Sequence, residues 1–179
     1  MAALAAALLI PSAPPTPVAA SYSSEASQVM RIARAQLGDR WRFGATGPSS
    51  FDCSGLVTYA YRMAGDLSMI GNGRYRSASA LYRYFLMRGK TSRTHGTPGD
   101  LVVWGNGSHI GIYLGNGMAV STLTSGVRVH GIRAVTARFT AFLRTGIYQL
   151  PAPTPVVAAV PTPTPTPTLT PTPTLMPTP

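Results

Sequence analysis

Every charged side chain of this 179-residue chain lies between Glu25 and Arg144. That confinement limits what can fold. Residues 151–179 hold 11 of the 17 prolines, alternating with threonine and little else. Proline lacks a backbone N–H and fixes φ, so such a segment buries no core and reads as an extended, polyproline-type tail. Residues 1–20 are uncharged too. There an apolar run, Ala2 to Ile10, is followed by prolines from Pro11 to Pro17 and by the small residues Val18-Ala19-Ala20. This resembles a secretory leader ending before Ser21, without the basic start such leaders carry. The expectation is a leader over 1–20, export out of the cell, one folded domain over 21–150, and a tail over 151–179. The middle segment is long enough to bury a core.

Composition excludes several chemistries. One cysteine, Cys53, rules out an internal disulfide framework and any zinc site built on several thiolates. No apolar run reaches the roughly 18 residues of a spanning helix, and no glycine-rich loop ends in Lys-Ser or Lys-Thr. Five carboxylates are few for a hydrolase that works with two of them. Lys+Arg is 15 against Asp+Glu 5, a formal charge of +10, and Lys90 is the only lysine. The surplus suits a polyanion: nucleic acid, an anionic membrane face or an acidic cell wall. The arginines are scattered, however, and a solvated cationic surface explains them equally well.

Periodicity divides the middle segment in two. Glu25, Ala26, Val29, Met30, Ala33 and Leu37 have helical spacing, with Gly38 as the stop. A second helix is expected from near Cys53 to Ala64, ending at Gly65, and a third over Ser79 to Met87. Short β-rich runs follow: Leu101 to Trp104, His109 to Leu114, Met118 to Thr122, Gly126 to Ile132 and Phe139 to Arg144. Gly115-Asn116-Gly117 is a hairpin signal. Helices first and strands after predict an α+β domain with helices packed on an antiparallel sheet.

The densest chemical signal is Phe51-Asp52-Cys53-Ser54-Gly55-Leu56-Val57. Here the lone cysteine stands where a loop enters a helix, so the helix dipole and free N–H groups favour a thiolate and an oxyanion. Asp52 is suited to cap this helix and would oppose the thiolate slightly. Gly55 keeps the first turn open to close approach. A thiol nucleophile needs a base, and there are three histidines. His109 begins a strand. His95 sits in a Ser/Thr/Gly loop and is expected to be exposed. His130 alternates away from Val127 and Val129 and is expected to be solvated.

These residues resemble a family. Phe51 to Val57 is similar to the cysteine motif of the NlpC/P60 cell-wall cysteine peptidases. Pro98-Gly99-Asp100-Leu101-Val102-Val103-Trp104 resembles the strand before their histidine, and His109-Ile110-Gly111-Ile112-Tyr113-Leu114-Gly115-Asn116-Gly117 their histidine motif. Trp41 to Pro48 resembles their upstream loop. The resemblance runs from about Ser23 to Arg144. It implies a papain-like domain with the cysteine at the start of a central helix packed on an antiparallel sheet. It also implies a cysteine endopeptidase acting on peptidoglycan stem peptides, typically between D-γ-glutamyl and the diamino acid. Cys53 is then the nucleophile and His109 the general base, and no metal or cofactor is implied.

Two positions depart from the family pattern. The third polar residue, commonly a histidine that orients the base, falls at Ser121, with His130 a distant alternative. Trp41 stands where many members have a tyrosine. Phe43, Trp104 and Tyr113 are read as core more readily than as groove, and Arg42 as a weak candidate for meeting stem-peptide carboxylates. Three rivals accompany the endopeptidase: a wall-binding module of the same fold that has lost catalysis, an amidase or acyltransferase using the same cysteine, and a nucleic-acid binder resting on charge alone. A monomer is the default expectation.

Overall fold

The structure, a computed structural model, describes residues 24–147. The leader expected over 1–20 and the tail expected over 151–179 lie outside the described residues.

Helix α1 (Glu25–Arg34) starts at Ser24, whose Oγ accepts from the Ser27 N–H at 3.1 Å. Glu25 lies in the first turn and Arg31 and Arg34 in the last, each at the helix end its charge favours. The expected end at Gly38 comes early. The α-helix stops at Arg34 and residues 35–38 form turns, with the Gln36 N–H donating to the Ala33 carbonyl and the Leu37 N–H to that of Arg34, while the Gly38 N–H is taken by the Val127 carbonyl of the sheet. A short parallel pair, β1 (Arg40–Trp41) and β2 (Ser50–Phe51), then brackets a loop. Helix α2 (Cys53–Ala64) ends on Gly65, in the left-handed conformation that glycine adopts without strain. A 3-10 turn (Leu67–Ile70) leads to α3 (Ala78–Leu86), capped by Ser77.

The rest is sheet. Strands β3 (Thr91–Ser92), β4 (Leu101–Trp104), β5 (His109–Gly115), β6 (Met118–Leu123), β7 (Gly126–Gly131) and β8 (Phe139–Leu143) form one antiparallel sheet in the order β3-β8-β4-β5-β6-β7. Its helix-facing side carries Leu101, Val103, Ile110, Ile112, Val120, Val127 and Leu143. These meet Leu56, Val57, Ala60 and Tyr61 of α2 and the buried residues of α1 and α3. The opposite side carries Val102, Trp104, Ala119 and Phe142, covered by Ile132, Val135, Ala137 and Phe139. Both sides of β4 are therefore buried, and its sequence is continuously apolar rather than alternating. Each fully buried Leu or Ile in this core contributes roughly 1.5–3 kcal/mol. No described helix is long and apolar enough to cross a membrane. The observed architecture is the α+β, papain-like arrangement expected.

Two carboxylates tie loops to this frame. Asp100, buried at the start of β4, accepts from the Thr97 and Thr145 N–H groups and from both threonine hydroxyls. Asp52 accepts from the Gly55 N–H at 2.6 Å, the Ser54 hydroxyl at 2.9 Å and the Gly44 N–H at 2.9 Å. Gly55 lies directly beneath that loop, where an added Cβ would run into the Ala45 carbonyl oxygen. That same oxygen accepts from the Asp52 N–H. Gly55→Ala is therefore expected to cost about 1–3 kcal/mol by overpacking, read as a lowered urea midpoint at unchanged slope. An unchanged midpoint would show that the loop yields freely.

Candidate active site

The Asp52 cap decides where α2 begins, and so places Cys53 as its first residue. The backbone of Ile110, at the start of β5, and that of Ser54 and Cys53 itself act on the thiol to favour its ionised form. His109, the neighbour of Ile110, opens the same strand. Cys53 and His109 both line one cleft of about 460 Å³. One wall is the loop with Trp41, Phe43 and Gly44. The other is made by Arg76, Ser77, Ser79, Gly107 and Ser108.

The electrostatics favour the neutral forms of both groups. Burial pushes the Cys53 thiol up, the three backbone N–H groups pull it down, and the Asp52 carboxylate pushes it up again; the net result is a raised pKa. The helix start that was expected to favour a thiolate is thus outweighed by burial. His109 is lowered to about 4, first by burial and then by the neighbouring His130. At neutral pH the resting pair is a thiol beside an uncharged imidazole.

Ser121 is fully buried, and its Oγ lies 2.9 Å from His109 Nε2. The sheet register explains the reach. Ile112 pairs with Val120, which sets Gly111 opposite Ser121, so His109 and Ser121 are diagonal neighbours on one face. Gly111 leaves that diagonal open: an added Cβ there would stand 2.8 Å from the Ser121 Cβ and 2.7 Å from the Val120 carbonyl oxygen. Thr122 alternates to the other face, as expected, and is buried there.

His130 departs from its expectation. It does lie on the face away from Val127 and Val129, but it is half-buried rather than solvated. Its Nε2 is 2.7 Å from Ser121 Oγ and its Nδ1 is 3.1 Å from the Gly131 carbonyl oxygen. Cross-strand geometry is the reason: His130 pairs with Ala119, one diagonal from Ser121. His95 is exposed, with Nδ1 2.7 Å from the Thr94 hydroxyl.

The aromatic candidates separate. Trp104 is fully buried, donates its indole N–H to the Ile132 carbonyl at 2.7 Å, and packs against the rings of both His109 and His130. Tyr113 packs on Phe142, and its hydroxyl accepts from the Gly117 N–H. Phe43, expected as core, is instead 85% exposed on the cleft rim beside Trp41, 44% exposed. Arg42 lines a neighbouring hollow with Asp39, Arg40 and Ser50. The arginine in the cleft itself is Arg76, which sequence reasoning passed over. Nothing in a set of scattered arginines singles it out; its backbone carbonyl lies 2.9 Å from Ser54 Oγ, whose single hydrogen is shared between that carbonyl and the Asp52 carboxylate. Among the described residues, no three His, Cys, Asp or Glu side chains converge to hold a metal ion.

The NlpC/P60 family model matches residues 38–144, which include both walls of this cleft. The chain is 36% identical over 115 residues to "Probable endopeptidase p60" of Listeria grayi, covering 63% of this chain and 21% of that protein. It is 33% identical over 120 residues to a "Probable endopeptidase" of Corynebacterium glutamicum, covering 62% and 49%. The alignment thus spans a fifth to a half of these relatives' length. Among solved structures, the peptidoglycan hydrolase RipB of Mycobacterium tuberculosis superposes with a TM-score of 0.55 at 29% identity, over 70% of this chain and 66% of that one. RipD of the same organism, described as a non-catalytic NlpC/p60 domain protein, shares the fold with a TM-score of 0.53 at 24% identity, over 69% and 98%. With more than half of its length matched by the family model, and with that family's fold, this chain belongs to the NlpC/P60 family.

Proposed function

We propose that the chain is an exported cysteine endopeptidase that cuts amide bonds in peptidoglycan stem peptides, typically between D-γ-glutamyl and the diamino acid. The observation that carries this reading is that Cys53 and His109 line the same cleft, with helix-start and strand-start backbone groups favouring the ionised thiol. The names of the Listeria and Corynebacterium relatives and of RipB support the reaction class and the wall as substrate.

The chemistry runs as follows. Substrate binding brings the scissile carbonyl onto Cys53. The thiol proton passes to the His109 ring nitrogen not engaged by Ser121, Nδ1, as the Sγ–C bond forms. Negative charge on the carbonyl oxygen is met by backbone N–H groups at the start of α2. The C–N bond then breaks, and His109 gives its proton to the departing amine. Water attacks the thioester, losing a proton to His109, and the thiol is regenerated. Because the resting pair is neutral, proton transfer accompanies attack instead of preceding it. Phe43 and Trp41 offer apolar contact on the rim, and Arg76 offers a charged donor to a stem-peptide carboxylate. The formal charge of +10 favours approach to an anionic wall.

Digestion of purified peptidoglycan, read by mass spectrometry, tests the proposal. Fragments ending at D-glutamate are expected, and Cys53→Ala should reduce their release by at least about 10³-fold. Free stem peptide cut from muramic acid would indicate an amidase instead. No release, with both proteins folded and sedimenting with the wall, would overturn catalysis and leave a wall-binding domain.

The depressed His109 pKa sets the acid limb. Its imidazole stays unprotonated, and able to accept a proton, down to about pH 4. kcat/KM on a synthetic stem peptide is therefore expected to hold at pH 6 and to halve only near pH 4; a midpoint near 6.5 would contradict a buried base. The raised thiol predicts slow alkylation of Cys53 by iodoacetamide at pH 7, accelerating only at alkaline pH. Arg76→Ala is expected to raise KM about tenfold with kcat nearly unchanged, the loss typical of one charge-assisted hydrogen bond. An unaltered KM would place the carboxylate elsewhere.

A further inference from the structure

We propose that His130 is a positioning residue that fixes the tautomer of His109 through the Ser121 hydroxyl, so that a three-strand relay takes the place of a single orienting residue. The inference rests on the catalytic reading of His109 given above. Its starting point is the Gly131 carbonyl, 3.1 Å from His130 Nδ1. A carbonyl can only accept, so in the neutral ring the proton sits on Nδ1 and Nε2 is a bare lone pair. That lone pair is 2.7 Å from Ser121 Oγ, and the hydroxyl must donate to it. A serine hydroxyl has one hydrogen. With that hydrogen spent on His130, Oγ can only accept from His109 Nε2, 2.9 Å away. The His109 proton is therefore on Nε2, which leaves Nδ1 as the free base.

With both rings neutral, counting donors and acceptors fixes each step, and the frame keeps the three groups in line. His109, Ser121 and His130 run diagonally across β5, β6 and β7 on one face of the sheet. Trp104 packs against both imidazoles, with ring centroids 5.3 and 5.6 Å away, and is itself held by its bond to Ile132. Serine alone would be ambiguous, since its hydroxyl can donate to His109 Nε2 as readily as accept from it. His130 removes the ambiguity by taking the hydrogen. Without it, His109 can carry its proton on Nδ1, where it cannot act as base.

The test reads the tautomer directly. In ¹⁵N-labelled full-length protein at neutral pH, two-bond ¹H–¹⁵N correlations should show His109 as the Nε2–H form. In His130→Phe the Nδ1–H form should appear, and kcat on a synthetic stem peptide should fall about tenfold with KM unchanged, the scale of losing an outer partner. His130→Gln, whose amide oxygen can accept from Ser121, should keep the Nε2–H form and most of the rate; His130→Leu, which also removes the acceptor, replaces His130→Phe if that variant fails to fold. In a Ser121→Ala background, His130→Phe should cause no further loss, because the link is already cut. A pure Nε2–H signal in His130→Phe with an unchanged rate would overturn the relay, as would an equal loss in the Ser121→Ala background. The tautomer is visible whether or not the protein cleaves peptidoglycan, so a failed relay and a failed catalytic reading give different results.

Discussion

The cleft depends first on one carboxylate. Asp52 gathers the first turn of α2 and the loop before it onto its two oxygens, and so determines which residue begins the helix. The thiol is presented to the cleft because Cys53 is that residue. The same carboxylate works against the thiol's ionisation. Position is thus obtained at some cost in intrinsic reactivity. The cost is tolerable where the proton is transferred during attack, since a standing thiolate is then not required.

A second dependence runs through the sheet. Because both of its faces are covered, the strand that carries His109 is flanked by packed residues on either side. On the helix side, Ile110 and Ile112 anchor β5 in the main core. On the other side, Trp104 fills the space beneath the histidines, and Gly111 leaves room for a neighbour's hydroxyl to reach the base. A larger residue at 111 would close the diagonal, so the base, its hydroxyl partner and the glycine between them form one geometric unit. The burial that orients the imidazole also lowers its pKa to about 4. Orientation and basicity are therefore two consequences of the same packing.

Much of this was legible in the linear sequence. The helix over 53–64 announced itself by Asp52 ahead of an apolar run and Gly65 behind it, and Gly115-Asn116-Gly117 announced the β5–β6 hairpin. Those signals are local, so they survive without knowledge of the fold. The elements that escaped are two-residue strands such as β1 and β3, too short to show any period, and the end of the first helix, where the Gly38 N–H is taken by the distant Val127 carbonyl.

The candidate site divides along the same line. Sequence by itself determined the α+β class and the nucleophile candidate, because a helix-start cysteine and local periodicity act on their immediate neighbours; His109 as base and Ser121 as third residue came from the family resemblance of the motifs. Only the tertiary structure decided that burial would outweigh the helix start at Cys53, that Arg76 rather than Arg42 would enter the cleft, and that Phe43 would stand out in solvent. It alone also decided the place of His130, whose alternation was read correctly but whose surroundings were not. Alternation assigns a side chain to a face of its own strand; what covers that face comes from strands and loops distant in sequence. Here they were a hydroxyl on β6 and an indole on β4.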